Sequence, residues 1–96
     1  MPTIKRLPEF MEWIDSLRDD RAAARIAIRI DRVALGNPGS VSSVGEGVSE
    51  MKIDYGPGYR VYFKRRGEDI VILICGGDKS TQEKDIKRAK FLAIDI

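Results

Sequence analysis

The sequence has no histidine and a single cysteine, and these shortages exclude several kinds of functional site. Without histidine the chain cannot build a Ser-His-Asp triad, a histidine acid-base pair or a histidine-ligated metal site. One cysteine cannot form an intrachain disulfide, and Cys75 ends an apolar run typical of a buried strand, so we expect an unreactive structural thiol. We expect neither a metal centre nor a bound cofactor. Any catalysis must therefore use lysine, arginine, tyrosine or carboxylate side chains.

A long hydrophobic run is missing as well. No segment approaches the roughly 20 apolar residues that a membrane-spanning helix requires, and residues 1–10 do not have the pattern of a signal peptide. We therefore expect a cytoplasmic protein that does not enter a membrane. With 96 residues, of which 43% are hydrophobic and 33% charged, the chain suits one folded domain, which we assign to 1–96.

Hydrophobic periodicity predicts an α+β domain in which two helices come early in the chain. Apolar residues recur at helical spacing over 10–17 and again over 23–33. Pro8 suits the first turn of the former helix, where its missing N–H is not needed. Gly36 and Pro38 are stop signals for the latter. The short joint between the two segments predicts a helical hairpin.

Beyond this hairpin the period changes to two, which predicts an antiparallel meander of four strands at 41–46, 48–55, 59–66 and 69–75. The pattern also allows a short strand at 3–6. Ser80 and Glu83 have the spacing of a capping box and start a third helix, in which Phe91 and Ile94 lie off the apolar stripe and are expected at the surface. The predicted fold is thus two N-terminal helices packed on a small antiparallel sheet, with a C-terminal helix.

Four arginines line the polar side of the second predicted helix at spacings of four, four and three: Arg21, Arg25, Arg29 and Arg32. Two interpretations are open. The stripe is either a solvated face with acidic neighbours, or a docking surface for an acidic partner or an RNA backbone. The net charge of +2 does not decide between them, because a local cluster of basic residues is the more informative feature.

Residues 55–66 combine a turn signal with a basic and aromatic strand. Pro57 and Gly58 fit the second and third positions of a type II turn. Alternation then puts apolar side chains on one face of the strand. The other face carries Arg60, Tyr62 and Lys64. Pairing across the turn adds Lys52 to this face, which is either the wet side of the sheet or a surface that binds an anionic ligand.

A patch of lysine, arginine and tyrosine has a chemistry suited to RNA. Cationic groups hold a phosphodiester, and an aromatic ring stacks on a base. The same charges stabilise a phosphorane-like transition state, and RNA supplies its own nucleophile in the 2′-OH. Lys79 lies near the N-terminus of the last helix, which favours an anion. The alternative interpretation is that Lys79 is a solvated loop residue.

Two blocks of residues carry a family resemblance: Tyr55-Gly56-Pro57-Gly58-Tyr59-Arg60-Val61-Tyr62-Phe63 and Cys75-Gly76-Gly77-Asp78-Lys79-Ser80. With shorter matches at Phe10-x-x-Trp13 and Gly45-Glu46-Gly47-Val48, they resemble the HigB-like branch of the RelE/ParE toxin superfamily over nearly the whole chain. The resemblance implies the toxin of a type II toxin-antitoxin system, with a RelE-like fold of two helices on an antiparallel sheet. Many such toxins cut messenger RNA on the ribosome through attack of the 2′-OH on the adjacent phosphate.

The same resemblance implies roles for six residues. The expected catalytic residues are Arg60, Lys52 and Lys79. The expected RNA-binding residues are Tyr62, Lys64 and Arg65. In these roles the arginine at position 60 stabilises the transition state, the catalytic lysines bind or polarise the phosphate, and the tyrosine stacks on or orients a base.

The implied partners are the ribosome, messenger RNA and a cognate antitoxin, expected to be a helix-turn-helix protein encoded beside this one. The free toxin is expected to be monomeric. One branch of the superfamily inhibits DNA gyrase instead, and fold alone does not separate the two activities. A non-catalytic partner-binding relative is a third alternative. Residues 40–43 depart from the expected pattern, which has a lysine there, and this departure bears on nuclease activity.

Overall fold

The structure, a computed structural model, describes residues 2–37 and 39–96, so the stop signal at Pro38 lies outside the described residues. The described residues form one mixed five-stranded sheet and three α-helices, which confirms the α+β class. In chain order the elements are β1 (Thr3–Arg6), α1 (Pro8–Ser16), α2 (Asp20–Ala34), β2 (Val41–Gly45), β3 (Val48–Ile53), β4 (Tyr59–Arg66), β5 (Ile70–Gly77), a short 3-10 helix (Lys79–Thr81) and α3 (Gln82–Ala93). None of the helices in the described ranges has the length and apolarity needed to span a membrane.

The strands lie in the order β1-β5-β4-β3-β2, and β2 to β5 form the predicted antiparallel meander. The expectation of a purely antiparallel sheet is wrong, because β1 pairs parallel with β5, with Thr3 opposite Ile70. The short strand that the sequence pattern allows at 3–6 is confirmed, and it precedes the two helices. β1 has four residues, of which only Ile4 is an apolar residue directed toward the core, so its sequence signal is weak.

Local signals account for the ends of the two N-terminal helices, and both predicted helices are confirmed. Pro8 is the first residue of α1, where its missing N–H costs no hydrogen bond. The carboxylate of Asp19 caps α2 by accepting hydrogen bonds from the backbone N–H groups of Arg21 at 2.9 Å and Ala22 at 3.2 Å. Gly36, just beyond α2, has a φ of 84°, a left-handed conformation that glycine adopts without strain.

One face of the sheet packs against α1 and α2. Its core consists of Phe10, Ile26, Ile30, Val33, Met51, Ile53, Val61, Phe63, Val71 and Leu73. At Gly76 of β5 a Cβ would collide with the indole ring of Trp13. The glycine therefore allows α1 to lie close against the sheet.

The opposite face of the sheet is covered by α3, so the first of its two interpretations, a wet face, is wrong. The second core cluster lies here and consists of Val48, Tyr62, Ile74, Cys75, Ala89 and Ala93. The fully inward residues of α3 are two alanines, whose small side chains give a weak apolar stripe in the sequence. Phe91 and Ile94 lie off this face and are 63% and 76% exposed, as expected. β5 is buried on both faces, as predicted for a central strand.

The start of α3 also differs from the prediction. The capping box joins Asp78 to Thr81, not Ser80 to Glu83, and it opens the 3-10 helix that precedes α3. The carboxylate of Asp78 accepts hydrogen bonds from the Ser80 backbone N–H at 2.8 Å and from the Ser80 hydroxyl at 2.5 Å. Asp78 caps the first turn in place of Ser80, because a carboxylate accepts hydrogen bonds more strongly than a hydroxyl does.

Candidate basic site beside the Gly-Pro-Gly turn

The turn between β3 and β4 fixes the position of the candidate site. Gly58 has a φ of 79°, as predicted, and Gly56 also has a positive φ of 56°. The closing hydrogen bond runs from the Gly58 N–H to the Tyr55 carbonyl at 3.1 Å, so the hydrogen-bonded turn covers 55–58 and starts one residue earlier than predicted. Tyr55 and Tyr59 pack against the core under α1 and α2.

Three basic residues, which we call the basic cluster, lie at this end of the sheet: Lys52, Arg60 and Lys79. Lys52 pairs directly with Arg60, which pairs in turn with Gly77, so these positions share the face that α3 covers. Lys79 lies against the turn, because its backbone N–H donates to the Pro57 carbonyl at 3.4 Å. Lys52 and Lys79 are exposed, whereas Arg60 is only 5% exposed. The strand register and the contact of Lys79 with the turn thus bring the three expected catalytic residues to one end of the sheet.

Arg60 is held inside the protein and is not presented to solvent. Its Nη1 donates to the Gly58 carbonyl at 2.7 Å, and its Nε lies 3.8 Å from Oε2 of Glu50. Among the described residues that Nε has no hydrogen-bond partner. A buried N–H group without a partner costs about 1–3 kcal/mol. The fold therefore maintains this guanidinium at some cost to stability.

Glu50 is the centre of a buried polar network that sequence reasoning missed. Its Oε2 accepts hydrogen bonds from the Tyr62 hydroxyl at 3.0 Å and from Nε2 of Gln82 at 2.9 Å. The network joins β3, β4 and α3, and the carboxylate compensates part of the Arg60 charge. The sequence signal for this network is the alternation along β3. It places Glu50 on the same face as Lys52, next to the basic strand β4.

Tyr62 does not lie on the surface, which corrects its predicted position. The residue is 0% exposed, because α3 covers it. Burial, followed by the hydrogen bond to Glu50, raises the pKa of the phenol, so the hydroxyl stays protonated. A ring in this position has no exposed face on which an RNA base can stack.

Lys64 and Arg65 are expected to extend an RNA-binding surface. Their side chains instead donate hydrogen bonds to main-chain oxygens at the C-terminal ends of two helices. Nζ of Lys64 donates to the main-chain oxygen of Ile96 at 2.9 Å and to that of Ala93 at 3.3 Å, at the end of α3. Nη2 of Arg65 donates to the Val33 carbonyl at 3.1 Å, in the last turn of α2. Cations are favourable there because the last carbonyls of a helix lack the regular N–H partner four residues on and carry partial negative charge. The two residues stabilise helices on opposite faces and do not form one surface with the basic cluster.

Beneath the basic cluster, β5 and α3 lie in close contact. At Gly77 a Cβ would collide with Oδ2 of Asp85, which accepts a hydrogen bond from the Thr81 hydroxyl at 2.5 Å. Cys75 is buried in the same layer, and burial raises the pKa of its thiol to about 12. The thiol is therefore protonated at neutral pH and unreactive, as the sequence predicts.

The basic cluster offers positive charge to an anionic ligand. It presents the exposed ammonium groups of Lys52 and Lys79 at the end of the sheet where the guanidinium of Arg60 is buried. Cations in such a group bind phosphate oxygens with charge-assisted hydrogen bonds. Within residues 2–37 and 39–96, no group of three or more histidine, cysteine or carboxylate side chains is placed to hold a metal ion.

Comparison with known proteins assigns the chain to a family. It is 50% identical over 93 residues to a protein of Haemophilus influenzae that is described as an uncharacterized protein, and the match covers 97% of this chain and 94% of that one. The chain belongs to the same family as this bacterial protein. No family model matches the sequence, and no solved structure matches the chain.

Proposed function

We propose that the protein is the toxin of a type II toxin-antitoxin system, with a RelE-like fold, and that it is a ribosome-dependent endoribonuclease that cuts messenger RNA. The observation that carries the proposal is the convergence of Lys52, Arg60 and Lys79 at one end of the sheet. The packing of two N-terminal helices on a sheet whose strands β2 to β5 are antiparallel is consistent with it.

The proposed reaction is a transesterification within the RNA strand. The 2′-oxygen bonds to the adjacent phosphorus while the bond from phosphorus to the 5′-oxygen breaks. The 2′-hydroxyl loses a proton and the leaving 5′-oxygen gains one, so the products are a 2′,3′-cyclic phosphate and a 5′-hydroxyl. Negative charge develops on the non-bridging oxygens in the transition state, and preorganised cations are most effective at that point.

In this proposal Lys52 and Lys79 contact the phosphate, because both side chains are exposed beside the turn. Arg60 lies behind them and strengthens the positive potential, with its guanidinium held by Gly58 and Glu50. A charge in a buried setting acts more strongly on a neighbouring anion than the same charge in water. Glu50 orients the guanidinium and offsets part of its charge, which makes it a positioning residue.

A specific observation favours a second candidate, a protein that acts by binding alone, such as an inhibitor of DNA gyrase. Tyr62 is inaccessible and Arg60 is 5% exposed, so the lysines are the members of the basic cluster that reach solvent. Residues 40–43 add no lysine to the site. Two exposed cations are sufficient to contact a polyanionic or acidic target but give less support to a transition state.

Induced expression in growing bacteria separates the two candidates. We expect growth arrest together with new messenger RNA 5′ ends inside coding sequences, and loss of both in the Lys52→Ala/Lys79→Ala variant. The matched control is Lys87→Ala, which removes an exposed lysine from the middle of α3. Arrest with intact transcripts contradicts the nuclease. A supercoiling assay with purified gyrase then tests the second candidate, which normal supercoiling in excess protein excludes.

A further inference from the structure

The outer side of α2 has a positively charged groove that the proposed function does not use. It has a volume of about 230 Å³ and lies between α2 and the end of β3. The residues that line it are Arg25, Ile28, Arg29, Arg32, Ile53 and Asp54. We call it the arginine groove. Three cations against one acid give it an excess of positive charge.

Two of its arginines are held in place by the fold. Arg29 donates through Nη1 to the Lys52 carbonyl at 2.5 Å and through Nη2 to the Ser40 carbonyl at 3.4 Å. The guanidinium of Arg25 lies over the Tyr55 ring, 4.6 Å from the ring centroid. Side chains that are already ordered lose little conformational entropy when a ligand binds. The arginine groove is therefore preorganised.

Two arginines of the groove have no acidic partner within residues 2–37 and 39–96. Neither Arg25 nor Arg32 forms an ion pair with another residue in the described ranges. Burial, followed by the positive charge of Arg32, lowers the pKa of the Arg29 guanidinium, which nevertheless remains protonated. Like charges held side by side repel each other and favour an anion between them.

Exposed aliphatic side chains accompany these arginines and indicate a protein ligand. Ile28 is 50% exposed in the arginine groove, and Leu35, the residue that follows α2, is 66% exposed. They are seven residues apart, a spacing that brings two positions to one side of a helix. An RNA backbone offers phosphates but little apolar surface, whereas an amphipathic helix presents apolar and charged residues together.

We propose that the arginine groove, extended by Leu35, binds an amphipathic helix of another protein in which aspartates or glutamates flank aliphatic residues. The aliphatic side chains of this helix pack on Ile28 and Leu35, and its carboxylates pair with Arg25 and Arg32. Charge complementarity gives specificity and fast association, and the apolar contacts give burial. This inference holds whether or not the basic cluster cuts RNA.

A synthetic helix tests this surface directly. The probe is a stapled peptide of about 14 residues with leucines seven apart and glutamates beside them, since unstapled helices of this length are marginal in water. Isothermal titration calorimetry follows its binding to the full chain. We expect the dissociation constant to rise at least tenfold for Arg32→Glu and for Ile28→Ser, a change of about 1.4 kcal/mol each. Arg66→Glu makes the same charge change at an exposed position in β4 and is expected to bind like the wild type.

Three results overturn the proposal. The first is no measurable binding of the acidic helix to the folded wild type. The second is weakening by Arg32→Glu but not by Ile28→Ser, with a single-stranded RNA oligonucleotide competing for the site, which identifies an RNA backbone as the ligand. The third is self-association in sedimentation that both substitutions abolish, which identifies a second copy of the chain. Thermal unfolding checks each variant, and Leu35→Ser replaces Ile28→Ser if the latter does not fold.

Discussion

The two faces of the sheet are both buried, but they are built from different side chains. The core under α1 and α2 consists of apolar residues such as Ile26 and Phe63. The face under α3 includes a buried acid and a buried base, Glu50 and Arg60, beside the fully buried Tyr62. Charged residues in an alternating strand therefore do not establish a wet face, because a helix can cover them when a polar network satisfies part of their hydrogen bonding.

The greatest loss of stability is expected from removing the acid of the α3 face. Glu50→Ala leaves Arg60 buried without its carboxylate and Tyr62 without its acceptor, so we expect the free energy of unfolding to fall by about 3–5 kcal/mol. Chemical denaturation measures this change. Glu50→Gln keeps an acceptor for Tyr62 and is expected to lose less. A loss below about 1 kcal/mol in Glu50→Ala would show that the carboxylate does not compensate Arg60.

Two isoleucines of α2, one facing the apolar core and one facing outward, form a matched pair for comparison. Ile26 is 0% exposed in the core, whereas Ile28 is 50% exposed. We expect Ile26→Ala to lower the free energy of unfolding by about 2–5 kcal/mol through lost burial and a residual cavity. Ile28→Ala should stay within about 0.5 kcal/mol of the wild type. Similar losses in the two variants would contradict the orientation of α2 on the sheet.

A smaller effect is expected where β4 supports the end of α3. Lys64→Met removes the ammonium group that donates to Ala93 and Ile96 but keeps most of the aliphatic stem. We expect a loss of about 0.3–1 kcal/mol, measured by thermal unfolding. The loss should shrink as salt is added, because salt screens the interaction. Lys87→Met is the control, and equal stability of the two variants would argue against a role of Lys64 at the helix end.

The most local effect is expected at the rim of the α1/α2 face, where the Tyr55 hydroxyl donates to Asp19 at 2.9 Å. This hydrogen bond, followed by that from the Ala22 N–H, lowers the pKa of Asp19. A carboxyl pKa that is lower in the folded state stabilises that state above the ordinary value of about 3.9, and the contribution disappears as the pH falls through the folded value.

Thermal unfolding across this pH range checks the prediction. The difference in stability between the wild type and Asp19→Asn should be present at neutral pH and shrink as the pH falls below the ordinary carboxyl pKa of about 3.9. Asp20→Asn removes the neighbouring exposed carboxylate and serves as the control. A difference that persists at low pH would mean that the charge of Asp19 does not contribute.

Much of the fold follows from sequence periodicity, and the covered face is the main part that does not. The helices and the meander have regular apolar patterns, and glycines fix the turn that pairs Lys52 with Arg60. The packing of α3 is less visible because it contacts the sheet through Ala89 and Ala93, which give little periodic signal. Tyr62 therefore has the sequence pattern of a surface residue although α3 buries it.

At the candidate site, the positions of the basic residues could be predicted but their surroundings could not. The pairing of Lys52 with Arg60 depends on one hairpin, which is a local feature of the sequence. The contacts of Lys64 and Arg65 instead depend on where two helices end in space, and their acceptors are about thirty residues away in the chain. No local pattern encodes such a contact, so both residues have the sequence signature of an extended basic surface.

The most direct test of the proposed function is the chemistry of RNA ends produced on ribosomes. Purified protein is incubated with ribosomes that carry a defined message, and mass spectrometry identifies the ends of the fragments. We predict 2′,3′-cyclic or 3′-phosphate ends paired with 5′-hydroxyl ends, and their loss in the Lys52→Ala/Lys79→Ala variant. A message that stays intact with active wild-type protein, or fragments that carry 5′-phosphates, would contradict the proposal.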